Sequence, residues 1–381
     1  MKNIIQSVEF WPVLMAFILA PLLNACNSNA ESKIQSNISV EAEQVVSGID
    51  IGWGMAFLPN GDLLITEKSG VLHVVRDGEL HNEIGGIPGD LDVNGQGGFL
   101  DIKLHPDYAN NEWVYFTYAS NSGPGDGSNT ALIRAKIQDN QLVEKETLYK
   151  AEPNSTRSQH YGSRIEFDNE GFVYFSIGDR GNQDVNPQDL GMDGGKIYRL
   201  NDDGSIPSNN PFVGEDGAKE AVYSYGHRNP QGMDIHPETG QIWIHEHGPQ
   251  GGDEINIVEA GKNYGWPEVG YGINYNGTPY AEDTTRADVE PPIKYWDPSI
   301  APSGMAFINS EVYPGWQGDL LVGSLKFTYI AHLEMEGENV ISEEKLAEDI
   351  GRIRAIEQGP DGYIYFTAEN AGVYRLIPEE E

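Results

Sequence analysis

Gly54-Met-Ala-Phe-Leu-Pro-Asn-Gly-Asp-Leu-Leu-Ile65 carries a short apolar run, a Pro-Asn-Gly-Asp turn, and a second apolar run. Two such runs across a tight polar turn read as a β-hairpin. The same pattern returns along the chain. It stands in Leu100-Asp-Ile-Lys-Leu-His-Pro106, with its second strand at Trp113–Tyr118, and in Arg164-Ile-Glu-Phe-Asp-Asn-Glu-Gly-Phe-Val-Tyr-Phe175. Gly232-Met-Asp-Ile-His-Pro-Glu-Thr-Gly-Gln-Ile-Trp-Ile244 is the fourth copy. Gly304-Met-Ala-Phe-Ile308 with Asp319–Val322 is the fifth, and Ile353–Phe366 the sixth. Six copies at roughly 55 residues each exceed the ~40–45 of a WD40 blade, so connections between strands carry insertions. The expectation is an all-β chain folded as a six-bladed β-propeller of four-stranded blades, with a β-sandwich as the alternative. Helical periodicity is missing, apart from a short turn expected within Ile341–Ile350.

Composition agrees with strands and turns. The 381 residues include 45 Gly, 19 Tyr, 12 Phe and 7 Trp, a bias toward aromatic strands joined by turns. The formal net charge is −35. Phosphate recognition needs a basic face, so nucleic acid is excluded as a partner, as is docking on anionic lipid through a polybasic patch. A body this acidic repels itself unless salt or bound cations screen it.

The N-terminus reads as a targeting segment. Phe10–Leu23 is mostly apolar, too short for a bilayer-spanning helix but of the length of a secretory h-region. It ends in Leu23-Asn24-Ala25-Cys26, and Cys26 is the only cysteine of the chain. The motif resembles a bacterial lipobox; an ordinary signal peptide with a chance cysteine is the alternative. The expected organisation is a lipoprotein signal peptide over 1–25, a lipidated Cys26 with a flexible tether over 26–45, and the propeller over 46–378. The expected location is the periplasmic side, anchored through lipid alone. Asn27 favours the outer membrane.

Propellers gather function at one mouth of the central channel, on loops flanking the repeated strands. Arg228 in Tyr225-Gly-His-Arg-Asn-Pro-Gln-Gly232, Lys326 after Leu320–Leu325, and Arg352 and Arg354 around Ile353 all stand beside blade strands. They are either separate surface ion pairs, worth little, or a cradle for a ligand with several negative charges. His160 precedes the third hairpin and Asp179 follows it; a neutral imidazole can serve as a general base, although a histidine there can equally be structural. Gln96 holds the corresponding place in the second unit and can bind hydroxyl groups. In His245-Glu-His-Gly-Pro-Gln-Gly-Gly-Asp-Glu-Ile255, carbonyls and carboxylates suit calcium rather than zinc. A zinc reading of His245 and His247 lacks a nearby third ligand.

Eight motifs in order, among them Gly95-Gln-Gly-Gly-Phe-Leu, Gly226-His-Arg-Asn-Pro-Gln-Gly, Glu246-His-Gly-Pro with Asp253-Glu-Ile-Asn, Asn263-Tyr-Gly-Trp-Pro267, Ser324-Leu-Lys and Arg352-Ile-Arg, run through Gly52–Leu376. In these the chain resembles the soluble quinoprotein glucose/sorbosone dehydrogenases, the aldose sugar dehydrogenases that use pyrroloquinoline quinone (PQQ). The resemblance implies oxidation of aldoses at C1 to the lactone. It implies PQQ held by Arg228, Asn229, Lys326, Arg352 and Arg354, and Ca²⁺ held by the carbonyls of Gly248 and Pro249. It further implies His160, Asp179 and Arg228 as catalytic residues, Gln96 as a substrate contact, and Glu254 and Tyr264 at a second calcium site. The electron acceptor would be a cytochrome or a membrane quinone. Two other functions share the architecture: a calcium-dependent lactonase, which would not need a cationic cradle, and a non-catalytic sugar-binding propeller, which would not need His160.

Overall fold

The computed structural model describes residues 38–81 and 83–379. The signal segment and Cys26 lie outside the described residues. The chain forms six four-stranded antiparallel sheets, the blades of a β-propeller. Blade 1 comprises Gly52–Phe57, Leu63–Glu67, Val71–Arg76 and Glu79–Leu80; the second runs from Phe99–Leu104 to Gln141–Lys150. Blade 3 runs from Ile165–Phe167 to Val222–Tyr225, blade 4 from Pro230–Ile235 to Lys294–Trp296, and blade 5 from Pro302–Phe307 to Asn339–Leu346. Blade 6 takes Ile353–Gln358, Ile364–Ala368 and Gly372–Pro378 from the C-terminus, and its outer strand, Val40–Val46, from the other end of the chain. Val40 pairs with Pro378 and Val46 with Val373, so the ring is closed by hydrogen bonds between the two ends of the chain.

Each quoted hairpin is the inner strand pair of a blade. The recurring glycines have a steric cause. A Cβ on Gly54 would sit 2.6 Å from the Asp101 carboxylate and 3.0 Å from its Cα in the next blade. On Gly304 it would meet the Ile356 backbone nitrogen at 2.8 Å. Glycine there lets neighbouring inner strands approach around the channel. The pairing register also shifts near the start of the inner strand in blades 1, 2, 4, 5 and 6. Such bulges bend a strand and re-aim side chains beside a site.

Between the blades lie apolar layers. Leu64 and Leu72 meet Phe99 and Phe116 between blades 1 and 2, and Trp243 and Trp296 meet Phe307 and Leu320 between blades 4 and 5.

Two sequence expectations are corrected. The turn of helix expected within Ile341–Ile350 does not form; Asn339–Leu346 is an exposed outer strand paired with Ile330–Glu336. Gly337, at φ 60°, makes the tight turn between them, and hairpin pairing overrides the local helix preference of Ser-Glu-Glu-Lys. Among the described residues the single helix is Tyr108–Asn111. The tether expected over 26–45 is too long at its C-terminal end, because the ring-closing strand starts at Val40.

Candidate active site

The site is supplied by the chain just ahead of the inner strands, by early residues of those strands such as Trp53, Gln231 and Arg354, and, in blades 1, 4, 5 and 6, by the residue just after the second strand. Together they line a cavity of about 320 Å³, within the roughly 300–1,000 Å³ of small-molecule sites. Gln96, Asn229, Arg352 and Arg354 line it, as expected from the sequence. Lys68, Trp53, Gln231 and Glu369, none of them a candidate from the sequence, line it too, as does His247, which the sequence offers only as a zinc ligand. Lys326 is not among the lining residues. It is exposed, with its ammonium 4.8 Å from the centre of the Phe327 ring, while the neighbouring Leu325 faces the cavity.

Three cations and one carboxylate stand on the wall. Glu369 accepts from Arg352 Nε at 2.7 Å and from Arg354 Nε at 3.1 Å, and its Oε1 also takes Arg354 Nη2. Arg352 Nη1 donates to the Leu325 carbonyl at 3.0 Å. Burial tends to raise the Glu369 carboxyl, but the two arginines outweigh it and hold it below the usual range. Burial and the neighbouring Arg354 lower the Lys68 ammonium. A wall with surplus positive charge inside a chain of net charge −35 favours an anionic ligand.

His160 and Asp179 are not lining residues of this cavity; they come together beside Gln96 and Tyr161, which are. The imidazole Nδ1 lies 2.7 Å from Asp179 Oδ1, and the His160 backbone N–H donates to Gln96 Oε1 at 2.8 Å. Asp179 Oδ1 also accepts from the Gly181 N–H at 2.6 Å, and Oδ2 from the indole N–H of Trp266 at 2.9 Å. An ionised Asp179 therefore takes the Nδ1 proton as its donor and leaves Nε2 as the basic nitrogen. Burial pushes the imidazole below the ordinary histidine value; Asp179 opposes this and Arg228 adds to it. Burial would raise Asp179, yet His160, Arg228 and the Gly181 N–H together keep it below its ordinary value. His160 itself adopts φ 57°, and Ser163 φ 85°, a backbone conformation that costs non-glycine residues energy and marks functional sites. The loop is held from behind by Arg180, which donates to the carbonyls of Gln159, Arg157 and Ser128 and lies 3.5 Å above the Tyr161 ring.

Arg228 lies beside the dyad rather than on the cavity wall. Its Nη1 reaches the carbonyls of His247 at 3.2 Å and Gly248 at 3.0 Å, its backbone N–H donates to Glu246 at 2.6 Å, and its Nε has no hydrogen-bond partner among the described residues. Asn229 Oδ1 accepts from the Gly162 N–H at 3.1 Å, tying blade 4 to the His160 loop.

The metal-ligating candidates are grouped around the same turn. Gly248 and Pro249 are buried, and one lone pair of the Gly248 carbonyl is engaged by Arg228. The adjacent Asp253 carboxylate is saturated by the N–H groups of Gly248, Ile300 and Ala301 and by the Ser299 hydroxyl. Among the described residues no group of three or more His, Cys, Asp or Glu side chains forms a metal centre. Carbonyl oxygens suit Ca²⁺, but two of them would need cofactor and water oxygens to complete the shell. Glu254 is buried, and desolvation with the neighbouring Glu246 raises its carboxyl well above the ordinary range. Tyr264 lines the same recess, but its hydroxyl is engaged by the Ile257 carbonyl and the Glu259 N–H. His245 and His247 both face backbone carbonyls, of Gly304 at 3.4 Å and Pro302 at 2.6 Å, and burial drives the His245 imidazole down to about 3.

The residues missed in the sequence follow from the repeat register. Lys68, His247 and Glu369 are each the first residue after the second strand of a blade, and Asp179 is the second residue after Val173–Ile177. Trp266 comes from the long connection inside blade 4, where no repeat guides the reading.

Comparison with known proteins agrees with this geometry. The profile of the Glucose / Sorbosone dehydrogenase family matches residues 49–375. The aldose sugar dehydrogenase YliI of Escherichia coli is 40% identical over 365 residues, covering 94% of this chain and 96% of that protein. Quinoprotein glucose dehydrogenase B of Acinetobacter calcoaceticus is 26% identical over 443 residues, covering 94% and 90%. The PQQ-bound structure of the aldose sugar dehydrogenase of Streptomyces coelicolor superposes with a TM-score of 0.74 at 27% identity, covering 91% of this chain and 99% of that one. The chain belongs to the glucose/sorbosone dehydrogenase family.

Proposed function

We propose that this protein is a sugar dehydrogenase that oxidises aldoses at C1 to the lactone, using PQQ and calcium. The observation that carries the reading is the His160–Asp179 pair, 2.7 Å apart, bonded through the His160 N–H to Gln96 on the wall of a cation-lined cavity. PQQ bears three carboxylates, and the wall offers Lys68, Arg352 and Arg354 to them, with Asn229 close by. When bound, PQQ supplies an ortho-quinone able to accept the two electrons that leave C1. A calcium ion at the Gly248 and Pro249 carbonyls would add Lewis acidity.

The chain's own part is proton transfer and positioning. Asp179 Oδ1 fixes the Nδ1–H tautomer, so Nε2 of His160 takes the C1 hydroxyl proton. Burial keeps that imidazole neutral at neutral pH, ready to accept. Arg228, close to the dyad and bonded to the Gly248 carbonyl, links the base to the proposed metal turn. Gln96 is placed by its bond to the His160 N–H and offers its amide to sugar hydroxyls.

The proposal includes export, lipidation at Cys26, and an outer-membrane anchor on the periplasmic side, supported by the Leu23–Cys26 motif. Among the described residues no helix is long and apolar enough to cross a membrane. The electron acceptor, a cytochrome or a quinone, is part of the proposal as well.

The test is His160→Ala reconstituted with PQQ and Ca²⁺ and assayed with glucose and a dye acceptor. It should bind PQQ as the wild type does and lose ~10²–10⁴-fold in turnover. A near wild-type rate would refute the general-base role.

A further inference from the structure

We infer that Trp266 is a positioning residue of the reaction, acting through Asp179 on the base His160; the inference rests on the proposed role of His160. Trp266 is 5% exposed. Its indole N–H donates to Asp179 Oδ2 at 2.9 Å, while Oδ1 of the same carboxylate faces His160 Nδ1 at 2.7 Å. A carboxylate free to rotate about its last bond can present either oxygen, or neither, to the imidazole. With Oδ2 held by the indole and Oδ1 by Gly181 at 2.6 Å, it presents one oxygen in one direction. The hydrogen bond thus sets both the orientation of the imidazole and how strongly its Nδ1 proton is drawn.

The same ring reaches a second functional group. The Arg228 guanidinium lies 5.2 Å from the ring centroid, within cation–π range. Tyr280 packs on the indole edge-on at 4.8 Å. The Trp266 backbone is fixed independently of its side chain, with its N–H on the Gly226 carbonyl at 2.8 Å and its own carbonyl on Gln188 Nε2 at 2.8 Å. One residue from the irregular connection of blade 4 therefore touches both Asp179 and Arg228, which come from different blades.

Trp266→Phe isolates the hydrogen bond, because it keeps an aromatic ring under Arg228 and removes the donor. An Asp179 carboxylate that loses a donor in a buried site becomes more basic, draws the Nδ1 proton harder, and favours the imidazolium. The charged or titratable groups facing His160 are Asp179, Arg228, Arg180 and His247, and the substitution removes none of them. In the reconstituted enzyme kcat should fall about tenfold and the acid limb of its pH profile should move up by about half a pH unit. The sugar KM, and PQQ affinity measured by titration of the apoenzyme, should stay within about twofold. In the Asp179→Asn background the same substitution should add less than about twofold to the loss, because the two residues act as one unit.

An unchanged kcat and pH limb, or a loss that multiplies fully with that of Asp179→Asn, overturns the inference. A His160→Ala enzyme that stays active refutes the base reading itself, whereas an inactive His160→Ala beside an unaffected Trp266→Phe refutes only the role of Trp266. Should Trp266→Phe fail to fold, wild-type protein labelled with ¹⁵N-tryptophan decides. The Trp266 indole N–H resonance should shift as His160 titrates and lose that shift in His160→Ala; a resonance indifferent to both overturns the inference.

Discussion

Replacing Glu369 with glutamine should destabilise the empty protein more than the loaded one. Among the described residues Glu369 is the only carboxylate on the cavity wall. It bridges Arg352 at 2.7 Å and Arg354 at 3.1 Å, with a further bond to Arg354 Nη2. Glutamine keeps one acceptor oxygen but turns an NH₂ toward a guanidinium, so one charge-assisted bond is lost outright, at roughly 1.5–3 kcal/mol. The Arg352 side chain is 49% exposed and that of Arg354 13%, so solvent screens the first pairing and the loss falls mainly on the second. Taking about 3 kcal/mol in all, and an unfolding entropy of about 2.1 cal/mol/K per residue, the melting temperature of the apoprotein should fall by about 4 °C. With PQQ present, ligand carboxylates pair the same two arginines, so the drop should be smaller. Thermal denaturation of wild type and Glu369→Gln, each with and without PQQ plus Ca²⁺, reads both numbers. Equal drops in the two states would refute the idea that Glu369 stands in for the ligand's negative charge.

Four further outcomes follow from the same geometry. Arg352→Ala should weaken PQQ binding about 10- to 150-fold, the equivalent of a charge-assisted contact, with activity partly restored at high PQQ; undiminished affinity by titration would remove Arg352 from the cofactor site. Because burial holds the His160 imidazole below its ordinary value of 6.5 and the neutral form is the base, the acid limb of kcat/KM should lie below that pH. Asp179→Asn removes the group that pulls the imidazole upward, so the limb should move further to acid as kcat drops; a limb shifted to alkali would contradict the assignment. Chelation should lower the melting temperature, with recovery by Ca²⁺ and not by Zn²⁺. An ion at 100 times its Kd adds about 2.7 kcal/mol, and a melt unchanged between metal-free and calcium-loaded protein would count against any calcium site.

The propeller was legible because each blade writes its inner hairpin in short range: two apolar runs and a turn, as in Gly54–Ile65 and Gly232–Ile244. The outer strands were not, since Asn339–Leu346 is exposed on both faces and shows no alternation to set against its helix-forming residues. The ring-closing strand was equally hidden, because Val40–Val46 finds its partner in Gly372–Pro378 at the far end of the chain. At the candidate site, residues directly flanking a hairpin, such as Gln96, His160 and Arg354, could be sought by register. Trp266 could not, because the connection that carries it is placed by tertiary contacts: its N–H on the Gly226 carbonyl and its indole on Asp179. Lys326 shows the converse. It has a suitable register position, but its side chain lies over Phe327 rather than on the cavity wall.

The strand that closes the ring also decides how the molecule would carry a load. Val40 lies beside Pro378, whereas Val46 lies beside Val373, close to where Ala368 and Glu369 lead to the cavity. Val40, the first residue of the strand, therefore lies at the end of the blade away from the mouth. A force applied along Val40–Val46 would load its hydrogen bonds to Gly372–Pro378 in shear, all at once, rather than open them one after another. Such a load would fall on the blade that completes the ring, whereas the dyad stands on blade 3.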